Sequence, residues 1–350
     1  MIKRITLQEN YSISRVIKGG WQLAGGHGAI NHEQAIKDMF AYYDIGITTF
    51  DCADIYTGVE KLIGDFLKQL AKQRGSAEKE LVQVHTKYVP DRAALGQLKD
   101  SDVRAAVQRS CSRLGVERLD VVQFHWWDFS IEQYTEVALM LKNLQTEGLI
   151  RYIGLTNFDP KHTAKLLDHG VDILSNQVQY SVLDHRPEVS LLDFNHDHNI
   201  ALFCYGTLAG GFISSKYLGK KEPSETELAS NRSLIKYKLI IDDLGGWSVL
   251  QSLLQKLDEI GRRHDVTISE AALLYLLYKK QVAAVIIGLR DAHHAQSLHS
   301  IYDKNLSIKE MNEIEAVLRS KTQALGDVYE LERYNQKHSE IMKYNLNSEV

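Results

Sequence analysis

The chain has 350 residues, 44% hydrophobic and 25% charged, the balance of an ordinary globular protein. A formal net charge of -4 and a pI near 6.4 give no sign of a nucleic-acid or anionic-membrane partner. The longest apolar stretches, such as AALLYLLY (271–278), fall well short of the roughly 20 residues needed to span a bilayer.

The first residues, MIKRITLQENYSISRVIKGG, lack the continuous apolar segment of a secretory signal. Three isolated cysteines, Cys52, Cys111 and Cys204, form neither a disulfide framework nor a zinc spacing. Both features lead to the expectation of a reduced, cytoplasmic protein.

In chain order, short β-rich runs alternate with longer helical patterns. The strands are expected at RVIKGG (15–20), GITTFD (46–51), LVQVHTK (81–87) and LDVVQFH (119–125), then IRYIGLT (150–156), ILSNQVQ (173–179), IALFCY (200–205) and VAAVIIG (282–288). Between them lie segments apolar at helical spacing and closed by glycine, such as 102–115 and 131–148. Strand–helix alternation implies a parallel sheet covered by helices. Eight strands over this length favour a closed (β/α)8 barrel over an open sheet. The open dinucleotide-binding sheet expects G-x-G-x-x-G in its first turn, and KGGWQLAGGHGAIN (18–31) has the wrong spacing.

No linker divides the chain, so residues 1–328 are expected to form one barrel domain. The irregular stretch 210–233 is expected to be a long loop after the seventh barrel strand. Residues 329–350 are expected to form a polar, loosely helical tail packed on or beside the barrel.

Barrel enzymes carry their chemistry at the C-terminal ends of the strands. Those ends read Asp51 with Asp54 and Tyr56 just after it, then Lys87, His125, Thr156 with Asn157, Gln177, and Tyr205. Singly, each has an ordinary explanation as a helix cap, a solvated charge, a satisfied core histidine or a packed aromatic. Their recurrence where each apolar run stops argues for one polar site.

The types also answer one another. A phenol near pKa 10 is a poor acid, an adjacent ammonium lowers that pKa, and a buried ammonium needs a carboxylate. Asp51, Lys87 and Tyr56 form such a chain, and His125 is placed to donate a hydrogen bond to the same substrate oxygen.

The segments FDCADIYTGVEKLIG, VHTKY, LDVVQFHWWD, TEGLIRYIGLTNF, NQVQYSVLD, YGTLAGGFI and AAVIIGLRDAHH together resemble the aldo-keto reductases, in that family's order. The resemblance implies reduction of a carbonyl by a nicotinamide dinucleotide. Tyr56 is then the general acid, Lys87 and Asp51 tune it, and His125 orients the carbonyl. In the family a glutamate at the histidine position accompanies reduction of carbon–carbon double bonds, so histidine favours aldehydes or ketones.

The resemblance also places the cofactor. Thr156 and Asn157 stand where the family usually has Ser-Asn. Asn157 and Gln177 suit the nicotinamide carboxamide, and Tyr205 stands where an aromatic stacks on the ring. Gly206, Thr207, Leu208 and Gly210 are expected along the pyrophosphate, with Gly20, Trp21, Gly288, Arg290 and His294 completing the cofactor set. Near the last strand the pattern departs from the family, with Ile287 for the usual proline and Ser297-Leu298 for Glu-Asn. Arg290 is the basic residue left for an adenosine phosphate. NADPH is expected, with NADH possible. Trp21, Ile55, Trp126 and Trp127 are expected to wall an apolar pocket with one polar corner.

Two other readings are kept open. Family members include channel-associated subunits, so a cofactor-binding regulatory or redox-sensor subunit with little turnover is the alternative. A metal-dependent barrel hydrolase would use FNHDHN (194–199), but that segment precedes a strand and belongs at the wrong end, so no metal is expected. The expected partner is a small carbonyl substrate, and the protein is expected to act as a monomer or homo-oligomer.

Overall fold

A computed structural model describes residues 2–25, 30–229, 231–289, 298, 301, 303–319 and 326–347. Two N-terminal strands come first, β1 (Arg4–Gln8) and β2 (Tyr11–Ser14), paired antiparallel as a hairpin. Eight parallel strands follow: β3 (Val16–Gly19), β4 (Thr49–Asp51), β5 (Gln83–Tyr88), β6 (Leu119–His125), β7 (Ile150–Thr156), β8 (Ile173–Gln179), β9 (Ala201–Tyr205) and β10 (Val282–Ile287). They close in the order β10-β3-β4-β5-β6-β7-β8-β9, with β10 also paired to β9, so no strand edge is left open. This is the expected (β/α)8 barrel.

Period-2 alternation sorts the side chains. Val121, Gln123 and His125 of β6 point one way, Val122 and Phe124 the other. Inside the barrel, Ile13, Ile17, Val121, Leu174, Phe203 and Ala284 form one apolar cluster near the hairpin. Outside, two larger clusters lie between the sheet and the helices. Tyr11 closes the lower end, its hydroxyl 2.9 Å from His85 Nε2 inside the barrel.

The helices start and stop where local chemistry directs. Asp159 caps the helix Pro160–Asp168 by accepting from the His162 amide, with proline at the start where its missing N–H is harmless. The helix Asp100–Leu114 ends at Gly115, whose φ of 65° suits a residue without a side chain. The stretch after β9 is less irregular than expected. It holds the short helix Glu225–Ala229 and runs into the helix Arg232–Asp243.

The last described residues do not trail away. The short helices Glu330–Tyr334 and Gln336–Ser339 lie across the C-terminal end of the barrel. Arg333 Nη2 donates to the carbonyls of Trp126 (3.0 Å) and Asn157 (2.8 Å), just past β6 and β7. Asn347 Nδ2 donates to Val89 O at 2.8 Å, past β5. Among the described residues, no helix is long and apolar enough to cross a membrane.

Candidate active site

At the end of β4 the chain turns sharply. The Cys52 amide donates to His85 O (2.8 Å) and the Asp54 amide to Lys87 O (3.1 Å), so the turn is pinned to β5. Gly20 lets β3 approach it: a Cβ there would stand 2.6 Å from Asp51 O. Asp54 faces away from the mouth, accepting from the Val89 amide at 3.1 Å, and burial raises its carboxyl well above the usual range. It holds the turn rather than the chemistry.

Asp51 and Lys87 form a buried pair, with side chains 4% and 6% exposed. Lys87 Nζ donates to both carboxylate oxygens at 2.7 Å and to Cys52 O at 3.0 Å. Two amides complete the arrangement: Gln123 Nε2 donates to Asp51 Oδ1 at 3.0 Å, and Gln177 Nε2 to the same oxygen at 2.7 Å and to Gln123 Oε1 at 2.8 Å. Gln123 was not anticipated. Its signal was available, as a polar residue two positions before His125 on the same face of an otherwise apolar strand.

Tyr56 is half-buried beside this pair, its ring 5.1 Å from Trp21 and 5.2 Å from Lys87 Nζ between centroid and atom. The sequence predicts a phenol made more acidic. The structure differs: burial first, then the charge of Asp51, raise Tyr56 well above the usual tyrosine value. Lys87 Nζ stands 5.2 Å from the Tyr56 ring centroid, and its hydrogen bonds go to Asp51 and Cys52 O rather than to the Tyr56 hydroxyl.

His125 is buried, and burial followed by the nearby Arg333 charge pulls it down to about 3, so it is neutral. Its Nδ1 lies 3.1 Å from Thr156 O. A carbonyl oxygen only accepts, so Nδ1 carries the proton and Nε2 is a bare acceptor. That Nε2 is buried with no hydrogen-bond partner. Donation from His125 to a substrate carbonyl, the expected role, therefore does not follow from this tautomer. Trp127 stands edge-on to the imidazole at 4.3 Å and Tyr329 at 5.5 Å.

The other anticipated residues divide into those brought to the mouth and those turned from it. Thr156 Oγ1 donates to Gln177 O (3.0 Å), and Tyr205 hydroxyl donates to Asn157 Oδ1 (3.0 Å). Asn157 itself has a φ of 62°, a left-handed conformation that asparagine tolerates. Ile55 and Trp127 are half-buried at the rim. Trp126 is not in the pocket: alternation points it outward, where it is fully buried with Nε1 donating to Asp128 O and Ile131 O. Thr207 is buried, its hydroxyl 3.4 Å from Ile286 O, and Leu208 packs into the outer core. The space above Gly206 and Gly210 is filled by the Tyr237 ring. Gly288 lies against Gln22, while Arg290 and His294 fall outside the described residues. The segment 194–199 lies in and after the helix Leu191–Asp197, before β9, and among the described residues no group of side chains is arranged to hold a metal.

Only the folded chain reveals the charges beside this mouth. Arg186 pairs with Asp184 (2.8 Å) and Glu332 (2.7 Å), all three buried, and Lys236 Nζ lies 3.7 Å from Glu332. Arg186 and Lys236 hold Glu332 down to about 2 against the opposing effect of its own burial.

Comparisons agree with this architecture. The model of the Aldo/keto reductase family matches residues 15–319. The chain is 27% identical to the chloroplastic pyridoxal reductase of Arabidopsis thaliana, over 81% of this chain and 78% of that protein. It is 26% identical to the NADH-specific methylglyoxal reductase of Escherichia coli (strain K12), over 87% and 95%. In three dimensions it resembles a glycerol dehydrogenase of Gluconobacter oxydans, with a TM-score of 0.73 at 21% identity, covering 92% of this chain and 95% of that one. A thermostable aldo-keto reductase in complex with the inhibitor epalrestat gives a TM-score of 0.69 at 22% identity, covering 90% and 100%.

Proposed function

The chain belongs to the aldo/keto reductase family, and on that footing we propose that it reduces an aldehyde or ketone to an alcohol with a nicotinamide dinucleotide. The observation that carries this reading is the meeting, at one barrel mouth, of Tyr56, the Asp51–Lys87 pair and a His125 Nε2 that is buried and unpartnered.

The residues present fit such a cofactor in kind. Tyr205 offers an aromatic face and Asn157 and Gln177 offer amides, while the turn after β9, with positive φ at Ala209, Gly210 and Gly211, spends the Ala209 and Gly211 amides on the carbonyls of Gly206 and Leu208. Thr156, Asn157, Gln177 and Tyr205 would hold the nicotinamide end, with Gly20 and Trp21 alongside. Gly206, Thr207, Leu208 and Gly210 would meet the phosphates only with the Tyr237 ring moved off Gly206 and Gly210. Lys236 already covers one face of Tyr205 at 5.0 Å, so a stacking ring takes the other face or displaces it. NADPH is the form we propose, and titration with NADPH and NADH decides between them.

When bound, the dinucleotide supplies hydride to the carbonyl carbon. Tyr56 keeps its proton at neutral pH because burial holds its pKa up. The alkoxide produced by reduction is a stronger base than phenolate, so the proton moves to it from Tyr56. Lys87 at the ring face offsets the phenolate charge left behind, and Asp51 keeps that ammonium in place. His125 then accepts the hydrogen bond of the new hydroxyl at Nε2, holding the product oxygen in line. The free, buried thiols of Cys52, Cys111 and Cys204 accord with the cytoplasm as the proposed compartment.

The test is cofactor oxidation over a panel of aldehydes and ketones, for the parent and for Tyr56→Phe. The variant should lose about 10²–10⁴-fold in kcat, with dinucleotide affinity by fluorescence titration changed by less than about twofold. Equal rates would remove Tyr56 from the mechanism. Tight dinucleotide binding with no turnover across the panel would instead make the protein a sensor subunit.

A further inference from the structure

Gln123 makes no hydrogen bond to Tyr56 or His125, yet its side chain is fully buried in the floor of the mouth. Burying an amide is costly unless both of its ends are satisfied. Here Nε2 donates to Asp51 Oδ1 at 3.0 Å, and Oε1 accepts from Gln177 Nε2 at 2.8 Å. The two glutamines stand on β6 and β8, with β7 between them. Gly154 of β7 makes room for that reach, since a Cβ there would stand 3.3 Å from Gln123 Cγ and 2.7 Å from Ser175 Oγ.

Chemistry dictates which way each amide faces. A carboxylate only accepts, so both glutamines must turn their nitrogens to Asp51. One such hydrogen bond leaves the amide plane free to swing, because the terminal torsion of glutamine is broad. Gln177 Nε2 makes two, to Asp51 Oδ1 at 2.7 Å and to Gln123 Oε1, and together they use both of its hydrogens and fix the plane. Gln177 Oε1 is thereby left as an acceptor. Among the described residues nothing donates to it, and it is not sealed from solvent. Donation from the nitrogen to an anion also polarises the Gln177 carbonyl, which strengthens any hydrogen bond it receives.

Building on the reductase reading, in which Gln177 meets the nicotinamide carboxamide, we propose that Gln123 is a positioning residue. It acts through Gln177, holding that side chain so that Oε1 receives an N–H of the carboxamide. Recognition of the dinucleotide then depends on a residue that never reaches it. A dinucleotide carrying an acetyl group in place of the carboxamide keeps a carbonyl but has no N–H, so it gains nothing from this arrangement.

Binding tests this without turnover. NADP+ and its 3-acetylpyridine analogue, and then the NAD+ pair, are titrated by quenching of tryptophan fluorescence. The proteins are the parent, Gln123→Leu, Gln177→Leu and the double variant, each checked for folding by circular dichroism and urea midpoint. Gln123→Met, unbranched like glutamine, is read in parallel so that a misfolded leucine variant does not decide the matter. The parent should prefer the carboxamide form by about tenfold, and each single variant should lose about fivefold of that preference. The double variant should lose no more than Gln177→Leu alone, because Gln123 has no other route to the ligand. A general loosening of the fold would weaken both forms alike and leave their ratio intact. An unchanged ratio in the Gln123 variants, or losses that add in the double variant, overturns the proposal. A parent that reduces carbonyls but binds the two forms equally overturns this role alone. The expected pattern in a parent that reduces no carbonyl keeps the role of Gln123 and rejects the reductase reading.

Discussion

Asp51 Oδ1 accepts from three different strands, from Lys87 of β5, Gln123 of β6 and Gln177 of β8. A carboxylate buried this deeply is stable only while its cation stays. Lys87→Met should therefore destabilise the protein by about 3–5 kcal/mol, read from the urea midpoint at constant m-value. Asp51→Asn combined with Lys87→Met should cost less than the two changes summed, because the double variant leaves no unpaired charge. A double variant at the full sum would show that the pair is not coupled. At this scale the residue types were legible and their states were not. Tyr56 could be placed at a strand end from the sequence, but its raised pKa comes from burial that the sequence does not display. Likewise the tautomer of His125 is set by the backbone oxygen of Thr156, on the neighbouring strand.

The strands were legible because parallel barrel strands, buried on both faces, read as short apolar runs bounded by turn residues. β6, β7 and β8 fall where the sequence puts them, at Leu119–His125, Ile150–Thr156 and Ile173–Gln179. The β1–β2 hairpin was not anticipated. β1 never becomes fully buried, and its alternation of exposed and half-buried residues carries little hydrophobic contrast. The helix end read at Gly115 was legible because a glycine stop has a mechanism, and the structure adds a cap of the same local kind. Thr267 and Glu270 cap the helix Ile268–Tyr278 reciprocally, the Thr267 amide donating to Glu270 Oε2 at 2.7 Å and the Glu270 amide to Thr267 Oγ1 at 3.3 Å. Thr267→Ala should lower stability by about 0.5–2 kcal/mol. Thermal and urea midpoints measure it, and an unchanged midpoint would show that the cap contributes nothing.

Across the whole molecule, the last described residues are joined to the barrel mouth by buried charge. Glu332 reaches Arg186 across 146 positions of sequence. Its folded pKa of about 2 lies below the usual carboxylate value of 4.5. The stabilisation is therefore complete above that usual value and is lost as pH falls from there through about 2. Glu332→Gln should cost about 3–5 kcal/mol at pH 7, because Arg186 and Lys236 lose their shared anion. On acidification from pH 5 to pH 3 the parent should lose stability that the variant no longer has to lose. Parallel urea curves for both proteins at each pH check this, and identical pH dependence would show that Glu332 does not link tail to barrel.

The sequence by itself determined the barrel and the register of polar groups at its rim, because a period of two and the stop of each apolar run are local properties of the chain. Only the tertiary structure decided that Trp126 faces the outer core, that Gln123 joins Asp51, and that Lys236 sits among three tyrosines beside Glu332. Those outcomes depend on burial and on distances between side chains far apart in sequence. Charges and hydrogen bonds take their energies from such distances, which no local pattern encodes.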